Sequence, residues 1–337
     1  MSFLYLSLAG EEQLACYRVD GETGDLEHLH NQSVPGAPSA QGRHCRLPVL
    51  YAAMRSNGRL VSFRIDAASG RLAHLQTIDT GLEDPGYLLT DRSGGWLLTP
   101  YYVSGKVTVY PVGKDGAVRE PASCVVDTDL HAHGLALDPT NRFLFVPHTC
   151  PGDAVYQLRF AGGTLEANDP PKVTAGEQLG PRHVHFHPNG RWLYAGNEQG
   201  NSVTQYRFDE SSGTLSPLRT MTTLPPGFSG GATARMLIHP DGRFLYAANR
   251  GHDSIACLAI AETTGELEPR GHAATPETPR SFDIEPGGRF LYAAGESADR
   301  LVQYRIDGDT GTLEPVRSYE TGRIPWWVQV VDPEAGL

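Results

Sequence analysis

The stretch Gly180-Pro-Arg-His-Val-His-Phe-His-Pro-Asn-Gly-Arg-Trp-Leu-Tyr-Ala-Gly-Asn-Glu198 decides the fold predicted for this chain. Two strand-like patterns flank the turn residues Pro188-Asn-Gly190, so the stretch predicts a β-hairpin. Closely similar segments recur at Ala234–Arg250 and Pro279–Glu296. The apolar and turn residues repeat, whereas the residues at the two ends differ. We therefore expect a repeated scaffold that carries a site at one end of its hairpins.

The repeat has the length of a propeller blade. The prolines of the predicted turns recur at a regular interval, at Pro139, Pro188, Pro240, Pro286 and Pro333. The interval is 46 to 52 residues, with strand patterning and almost no helical periodicity. A period of this kind is typical of blades of four strands. A third-strand pattern such as Ser202–Phe208 occurs seven times, so the sequence predicts an all-β, seven-bladed β-propeller.

The two ends of the chain predict how the ring closes. Phe3-Leu-Tyr-Leu matches the second strand of the other blades, so blade one lacks a first strand at the N-terminus. Trp326–Pro333 has first-strand character and no second strand after it. We expect the C-terminal strand to complete blade one, because closure removes open sheet edges. No linker-like segment interrupts the chain, which favours a single domain over residues 1–337 against two separate β domains.

Composition narrows the class of protein. The 337 residues carry a formal net charge of −11, which disfavours nucleic-acid binding because phosphate backbones require a basic surface. Five scattered cysteines without a CxxC spacing fit a reduced, cytoplasmic protein. The apolar N-terminal residues lack a basic region before them, and no apolar run approaches the ~18 residues that span a membrane. We expect no membrane association, and the oligomeric state stays open.

Hairpin geometry predicts which residues meet. The start of the first strand and the end of the second strand lie at the same end of each hairpin, around the central channel. The starts of the first strands carry His131, His133, Arg182, Arg235, Arg280 and Trp326, and the ends of the second strands carry Arg55, Tyr101, His148, Glu198, Arg250 and Glu296. A single charged residue at a loop end is usually only solvated. Many of them facing one funnel in an acidic protein favour a site.

With these residues in view, the chain resembles the propeller-type 6-phosphogluconolactonases, whose relatives include fungal 3-carboxymuconate-cyclising enzymes. The resemblance runs along the whole chain and rests on the stretch Gly180–Glu198, on the segment ending at Arg250 and on Thr278-Pro-Arg-Ser-Phe282. It implies a site of one histidine, two arginines and one glutamate. These fall on His133, which counting back from Asn141 favours over His131, and on Arg182, Glu198 and Arg250. Arg280 matches a further recurrent Pro-Arg position.

Two departures from the family pattern lie on the expected site face. Arg235 stands where relatives often carry an acidic residue, and His148-Thr-Cys-Pro-Gly-Asp153 replaces a turn of the Asp-Leu-Gly type. Both departures bear on the identity of the substrate more than on the fold.

Lactone hydrolysis needs an activated water, stabilisation of an oxyanion and a proton for the leaving alkoxide. We expect Glu198 or His133 to act as the acid and base, with Arg182 and Arg250 holding the anionic substrate and the developing charge. Further substrate contacts are predicted from His131, Arg280, Arg55, His148, Arg235 and Glu296. The predicted function is hydrolysis of a sugar-acid lactone, with 6-phosphogluconolactone as the first candidate substrate.

The sequence leaves two alternatives to this function open. A cycloisomerase acting on a carboxylated muconate would use the same arginines and a proton shuttle. A non-enzymatic propeller that recruits partners would show apolar blade faces and no convergent ionisable groups.

A metal site is a further alternative, with Glu198, His133 and His148 as ligands. The three histidines of His183-Val-His-Phe-His187 spread over ~13 Å of strand and cannot all bind one ion. The family resembled is regarded as metal-free, so we predict no metal and no cofactor.

Overall fold

Strands are the only regular elements in the part of the chain that the computed structural model describes, residues 1–334. In chain order they are β1 (Ser2–Leu8), β2 (Gln13–Val19), β3 (Leu26–Ser33), β4 (Pro38–Arg43), β5 (Val49–Met54), β6 (Arg59–Ile65), β7 (Leu72–Asp79), β8 (Leu89–Thr90), β9 (Trp96–Tyr101), β10 (Lys106–Pro111), β11 (Cys124–Asp127), β12 (Ala136–Leu137), β13 (Phe143–His148), β14 (Ala154–Ala161), β15 (Thr164–Val173), β16 (Pro181–Phe186), β17 (Trp192–Asn197), β18 (Ser202–Asp209), β19 (Thr214–Thr222), β20 (Ala232–Ile238), β21 (Phe244–Arg250), β22 (Ser254–Ile260), β23 (Leu267–Ala274), β24 (Pro279–Ile284), β25 (Phe290–Gly295), β26 (Arg300–Ile306), β27 (Leu313–Glu320) and β28 (Pro325–Val331).

The strands form seven four-stranded antiparallel sheets, one for each predicted blade. Six sheets take four consecutive strands each, beginning with β4, β8, β12, β16, β20 and β24. The remaining sheet has the order β28-β1-β2-β3, with Leu4 opposite Val330 and Leu6 opposite Val328. The prediction of a seven-bladed propeller closed by the C-terminal strand is confirmed. Residues 335–337, at the end of the predicted single domain, lie outside the described residues.

A repeated tyrosine joins neighbouring blades. In five blades the second strand carries a buried tyrosine whose hydroxyl donates to a glycine carbonyl in the outer turn of the next blade, over 2.5 to 2.9 Å. The pairs are Tyr5 with Gly70, Tyr51 with Gly116, Tyr194 with Gly265, Tyr246 with Gly311 and Tyr292 with Gly24. The repeated Leu-Tyr pattern therefore builds the core and also satisfies a buried polar group at each of these interfaces.

The outer turns need glycine for space as well as for conformation. Gly213 has a φ of 69°, and a β-carbon placed there would lie 2.1 Å from the ring of Phe143. Only glycine combines the left-handed backbone with so close an approach of an aromatic ring. The glycines that the sequence repeats thus let aromatic side chains of one blade pack against the turn of its neighbour.

Candidate active site

A cavity of about 230 Å³ lies where the first strands begin around the central channel. Six of its lining residues, called here the entry residues, stand at the starts of six first strands: Ser39, Gly86, His133, Arg182, Arg280 and Trp326. Three more, Arg55, Tyr102 and Glu198, follow the ends of second strands. The cavity therefore forms at the end of the hairpins at which the sequence predicts a site.

The backbone explains why the entry residues point into the cavity. Before each first strand one residue adopts a left-handed conformation, with φ between 55° and 80°. These residues are Ala37, Asp84, His131, Gly180, Gly231, Thr278 and Ile324. In six blades the second residue after this turn is an entry residue. Left-handed turns outside glycine are uncommon and occur often at functional sites.

Irregular strand pairing then turns the entry side chains towards the channel. The register shifts between Pro181 and His183 and between Pro279 and Ser281, which leaves Arg182 and Arg280 as extra residues. Trp326 is the extra residue in the pairing of β28 with β1. A β-bulge redirects a side chain that regular alternation would send elsewhere, and such bulges occur often beside active sites.

Glu198 sits between two arginines from different blades. Its Oε2 lies 3.2 Å from Nε of Arg182, without hydrogen-bond alignment, so this contact is ionic. Its Oε1 accepts a hydrogen bond of 2.5 Å from Nη2 of Arg250. Burial disfavours the carboxylate, but the charges of Arg182 and Arg250 outweigh burial and lower the pKa of Glu198. Glu198 is therefore an ionised partner of two guanidinium groups.

His133 is the uncharged ionisable group of the cavity wall. Burial lowers its pKa well below 6.5, and the positive charges of Arg182 and Arg280 add to this effect. Nδ1 is buried without a hydrogen-bond partner, which leaves Nε2 as the ring nitrogen that can meet a ligand. At neutral pH His133 is therefore an uncharged ring beside a cluster of arginines, and its Nε2 has a free lone pair when the proton is on Nδ1.

Arg182 is 3% exposed and also contacts the next residue in the chain. Its Nη1 donates to Nε2 of His183 over 3.1 Å, so His183 carries its proton on Nδ1. Burial lowers the pKa of Arg182, Glu198 opposes the shift and Arg280 adds to it. The guanidinium is thus held by one anion and one neutral ring, with its position set by both.

Two more guanidinium groups of the cavity stack on the indole of Trp326. The Cζ atom of Arg280 lies 3.7 Å from the centroid of the indole, and that of Arg55 lies 4.6 Å away. Nε of Arg55 contacts Oδ1 of Asp84 at 3.0 Å. Burial and nearby positive charges lower the pKa of Arg280 to about 10, while Glu296, 3.5 Å from its Nη1, opposes the shift.

Most of the predicted site residues are brought together, although some do not line the cavity. Arg250 and Glu296 reach it through their ion pairs with Glu198 and Arg280. His131 does not line the cavity but contacts a residue that does. Its ring stacks on that of Tyr102 with 4.4 Å between the ring centroids, and its Nδ1 lies 2.5 Å from the carbonyl oxygen of Cys150.

His148 is placed elsewhere, which corrects its predicted position on the site face. Ala132 pairs with His148 as Pro181 pairs with Asn197, so the position equivalent to Glu198 is Thr149. An offset of one residue along a strand sends a side chain to the opposite face. His148 is fully buried and contacts the Thr128 hydroxyl and the carbonyl oxygen of Val146, both at 3.0 Å.

The same offset applies in blade three. Pro85 pairs with Tyr101, so the cavity receives Tyr102 and not Tyr101. Tyr101 is instead fully buried. Sequence reasoning missed Tyr102, although its position directly after the second strand, like that of Glu198, is the signal that identifies it.

Arg235 is buried and does not line the cavity, which corrects its predicted place beside Arg182 and Arg280. Met236 pairs with Ala247 as Val184 pairs with Ala195, so Arg235 aligns with His183. Its guanidinium Cζ lies 4.1 Å from the ring centroid of Trp327, whose side chain lines the cavity. Nη2 is 4.0 Å from Oδ1 of Asp283, and Nε and Nη1 have no hydrogen-bond partner. Arg235 therefore contacts a residue of the cavity wall and does not line the cavity itself.

The distance from each arginine to its turn proline could have revealed that Arg235 occupies a different repeat position. Arg182 and Arg280 stand six residues before Pro188 and Pro286, whereas Arg235 stands five before Pro240. Trp327 and Asp84 carried no comparable signal, because they are recognised only by the residues they contact across blades.

Within residues 1–334, no group of three or more His, Cys, Asp or Glu side chains has an arrangement that could hold a metal ion. The three residues considered as ligands do not meet, since His148 lies away from His133 and Glu198. No helix in this part of the chain is long and apolar enough to cross a membrane.

The propeller, the cavity and the arginine–glutamate cluster can now be compared with known proteins. The sequence model of the family described as lactonase, 7-bladed beta-propeller, matches residues 9–330. This chain belongs to that family. The prediction of a propeller-type lactonase is thereby confirmed.

Relatives of this lactonase agree along nearly its full length. A 6-phosphogluconolactonase of Pectobacterium atrosepticum is 32% identical over 335 residues, covering 97% of this chain and 98% of the relative. One from Pectobacterium carotovorum is 33% identical over 250 residues, 73% of this chain and 74% of the relative. The solved periplasmic gluconolactonase of Pseudomonas aeruginosa superposes with a TM-score of 0.89 at 27% identity, covering 98% and 99% of the two chains. These matches favour lactone hydrolysis over a cycloisomerase or a non-enzymatic scaffold.

Proposed function

We propose that this lactonase hydrolyses the internal ester of an anionic sugar-acid lactone, with 6-phosphogluconolactone as the first candidate. The observation that carries the proposal is the neutral imidazole of His133 in a cavity that also presents Arg182, Arg280 and Glu198. A cavity of about 230 Å³ is small for a binding pocket and suits one sugar ring better than an oligosaccharide.

His133 is the proposed general base. Its neutral Nε2 takes a proton from a water molecule as the water oxygen attacks the lactone carbonyl. The protonated ring then returns the proton to the ring oxygen that leaves as an alkoxide. The positive charge that forms on His133 is costly beside the arginines, but the oxyanion that forms at the same time offsets this cost.

Glu198 is proposed as the residue that positions the arginines, since both of its oxygens already contact them. Its lowered pKa makes it a weak base at neutral pH. Arg182 lines the cavity and Arg250 reaches it through Glu198, so both are held in fixed orientations and their charges stabilise the oxyanion of the tetrahedral intermediate. Preorganised charges of this kind need no reorganisation during the reaction, which is why we assign them to the oxyanion.

The proposed substrate class rests on the relatives and on the charges of the cavity. The Pectobacterium relatives are named for a phosphorylated lactone and the Pseudomonas relative for gluconolactone. Four arginines (Arg55, Arg182, Arg250 and Arg280) gather at one end of a protein whose formal net charge is −11. This local concentration of positive charge supports a small anionic substrate, while the negative net charge of the whole protein disfavours nucleic acid.

The test is a continuous assay of acid release with 6-phosphogluconolactone and gluconolactone, corrected for spontaneous hydrolysis. We expect His133→Gln to reduce kcat by ~10²–10⁴-fold, the usual contribution of a positioned acid–base group. His148→Gln serves as the matched control, because His148 is buried outside the cavity, and its kcat should stay within about threefold of the native value. Full activity in both His133→Gln and Glu198→Gln would refute the assignment.

We further propose that residues 1–337 form a single domain and that the protein works in the cytoplasm. The ring closure by β28 supports the first proposal, and five free cysteines support the second. The periplasmic location of the Pseudomonas relative makes cell fractionation the deciding measurement for location.

A further inference from the structure

Trp326, an entry residue without a predicted role, contacts two of the arginines that line the cavity. The indole carries the guanidinium groups of both Arg55 and Arg280, with Cζ-to-centroid distances of 4.6 and 3.7 Å. All three side chains line the cavity. Attraction between a guanidinium and an aromatic face holds a flexible arginine in one orientation before any ligand arrives.

The two guanidinium groups differ in what they already bind. Arg55 makes contacts of 3.0 and 3.4 Å with the carboxylate of Asp84. Arg280 makes no hydrogen bond within the described residues and has only the ionic contact of 3.5 Å with Glu296. Glu296 does not itself line the cavity. The donors of Arg280 are therefore available to a ligand, with those of Arg55 close by.

The remaining two arginines have a common partner. Arg182 and Arg250 share the carboxylate of Glu198, next to His133. The cavity thus divides its arginines between two partners: Arg182 and Arg250 share the carboxylate of Glu198, whereas Arg55 and Arg280 share the indole of Trp326. A lactone with an anionic substituent away from its carbonyl carbon needs this division, because the ester and the anion must be held at the same time.

We propose that Trp326 is a specificity-determining residue that holds Arg55 and Arg280 as a subsite for the phosphate group of a phosphorylated lactone. This inference rests on the proposed function and names the part of the cavity that recognises the phosphate. A phosphate offers three acceptor oxygens and can engage two guanidinium groups, whereas a carboxylate has two oxygens and is satisfied by one bidentate arginine.

The test compares Trp326→Leu with Trp326→Phe. Leucine removes the aromatic face and phenylalanine keeps one. With 6-phosphogluconolactone, Trp326→Leu should raise KM ~10-fold, which corresponds to the loss of a cation–π contact of ~1.4 kcal/mol. Trp326→Phe should restore most of the affinity. Gluconolactone has no phosphate, so its KM should rise much less, and the ratio of kcat/KM between the two lactones should fall in Trp326→Leu and stay near the native ratio in Trp326→Phe.

Two further measurements keep the result interpretable. Arg191→Ala removes an arginine that lies over Trp192, 4.8 Å from its ring and outside the cavity, and should change neither reaction. Arg280→Gln removes a proposed phosphate ligand directly and should reproduce the rise in KM if Trp326→Leu fails to fold.

Binding of inorganic phosphate separates this inference from the proposed function. Phosphate should raise the Tm of the native protein and of Trp326→Phe, but not of Trp326→Leu or Arg280→Gln. If the native protein hydrolyses no lactone yet shows this pattern, the proposed function fails and the subsite stands. An equal loss with both lactones, or the same loss with the carboxylated glucarolactone, would overturn the assignment to phosphate.

Discussion

Nη2 of Arg250 lies 2.5 Å from Oε1 of Glu198, although the two residues are 52 positions apart and belong to adjacent blades. Arg250 ends β21, and Glu198 directly follows β17. The same hairpin end in two successive repeats thus supplies an anion and a cation to one another. Because Arg182 approaches the other oxygen of Glu198, a single carboxylate joins two blades at the cavity.

Replacing Glu198 by glutamine should lower the free energy of unfolding by about 3 kcal/mol, since two buried or half-buried guanidinium groups would lose their counter-charge. Adding Arg250→Met should recover part of this loss, because one uncompensated charge is then removed. Urea unfolding of the single and double variants measures both effects.

Glu320→Gln is the matched control for this prediction. Glu320 pairs with Arg300 on the surface, where side chains are 77% and 48% exposed. Exposed pairs contribute at most ~1 kcal/mol, so this variant should unfold almost as the native protein does. Equal losses in Glu198→Gln and Glu320→Gln would contradict the structural role assigned to Glu198.

Stability should fall as the solution becomes acidic. Burial lowers the pKa of His148 and of His185 to about 4 and that of His133 and His183 well below 6.5. In the unfolded chain these four histidines bind protons near pH 6.5, whereas in the folded protein they do so only at lower pH. The stabilisation is therefore complete above about pH 7 and is lost as pH falls towards 4.

Unfolding midpoints in urea between pH 8 and pH 5 measure this dependence. His148→Gln should reduce the slope by up to ~1.4 kcal/mol per pH unit, the contribution of one proton. A stability that stays constant over this range would show that these histidines bind protons in the folded protein as they do in the unfolded chain.

The activity should show a related but distinct pH dependence. In the free enzyme His133 stays neutral to well below pH 6.5, so kcat/KM should keep its value until the solution is clearly acidic. A bound anion partly cancels the charges of Arg182 and Arg280, which raises the pKa of His133. The acidic limb of kcat should therefore lie at higher pH than that of kcat/KM. Coincident limbs would argue against His133 as the base.

Tyr246→Phe tests the bonds between blades. The hydroxyl of Tyr246 donates to the carbonyl oxygen of Gly311 over 2.9 Å, so its removal should cost about 1–2 kcal/mol of unfolding free energy. Tyr206→Phe is the control, because Tyr206 is equally buried and its hydroxyl makes no hydrogen bond within the described residues. Comparable losses in the two variants would assign the effect to packing.

Ending the chain at Ile324 removes β28 and leaves the backbone edge of β1 unpaired. We expect this truncated protein to aggregate or to melt at a much lower temperature, since an open edge invites association and blade one loses its inner strand. Adding a peptide of residues 325–337 should restore part of the Tm. The full chain should show one cooperative transition, whereas two separate transitions would contradict the single domain.

The sequence allowed most of the propeller to be predicted, because the signals are local. A turn of the Pro-Asn-Gly type followed by a Leu-Tyr pattern indicates a hairpin, and the spacing between successive turns indicates the length of one blade. The strand that closes the ring was also recognisable, since Phe3–Ser7 needed an inner neighbour and Trp326–Pro333 needed an outer one.

The candidate site could be predicted in part. Arg182, Glu198 and Arg280 occupy repeat positions whose direction follows from the hairpin. His148 and Arg235 sit one residue away from the equivalent positions, and one residue is enough to turn a side chain to the other face of a strand or to the next level of the channel.

By itself, the sequence determined the number of blades, the closure of the ring and the end of the hairpins that carries ionisable residues. Only the tertiary structure decided that Glu198 holds two arginines, that burial keeps His133 neutral and that Trp326 supports two more guanidinium groups. The reason is physical. A repeat is recognised from residues that are close in the sequence, whereas charge balance and burial depend on contacts between blades that the closed ring brings together.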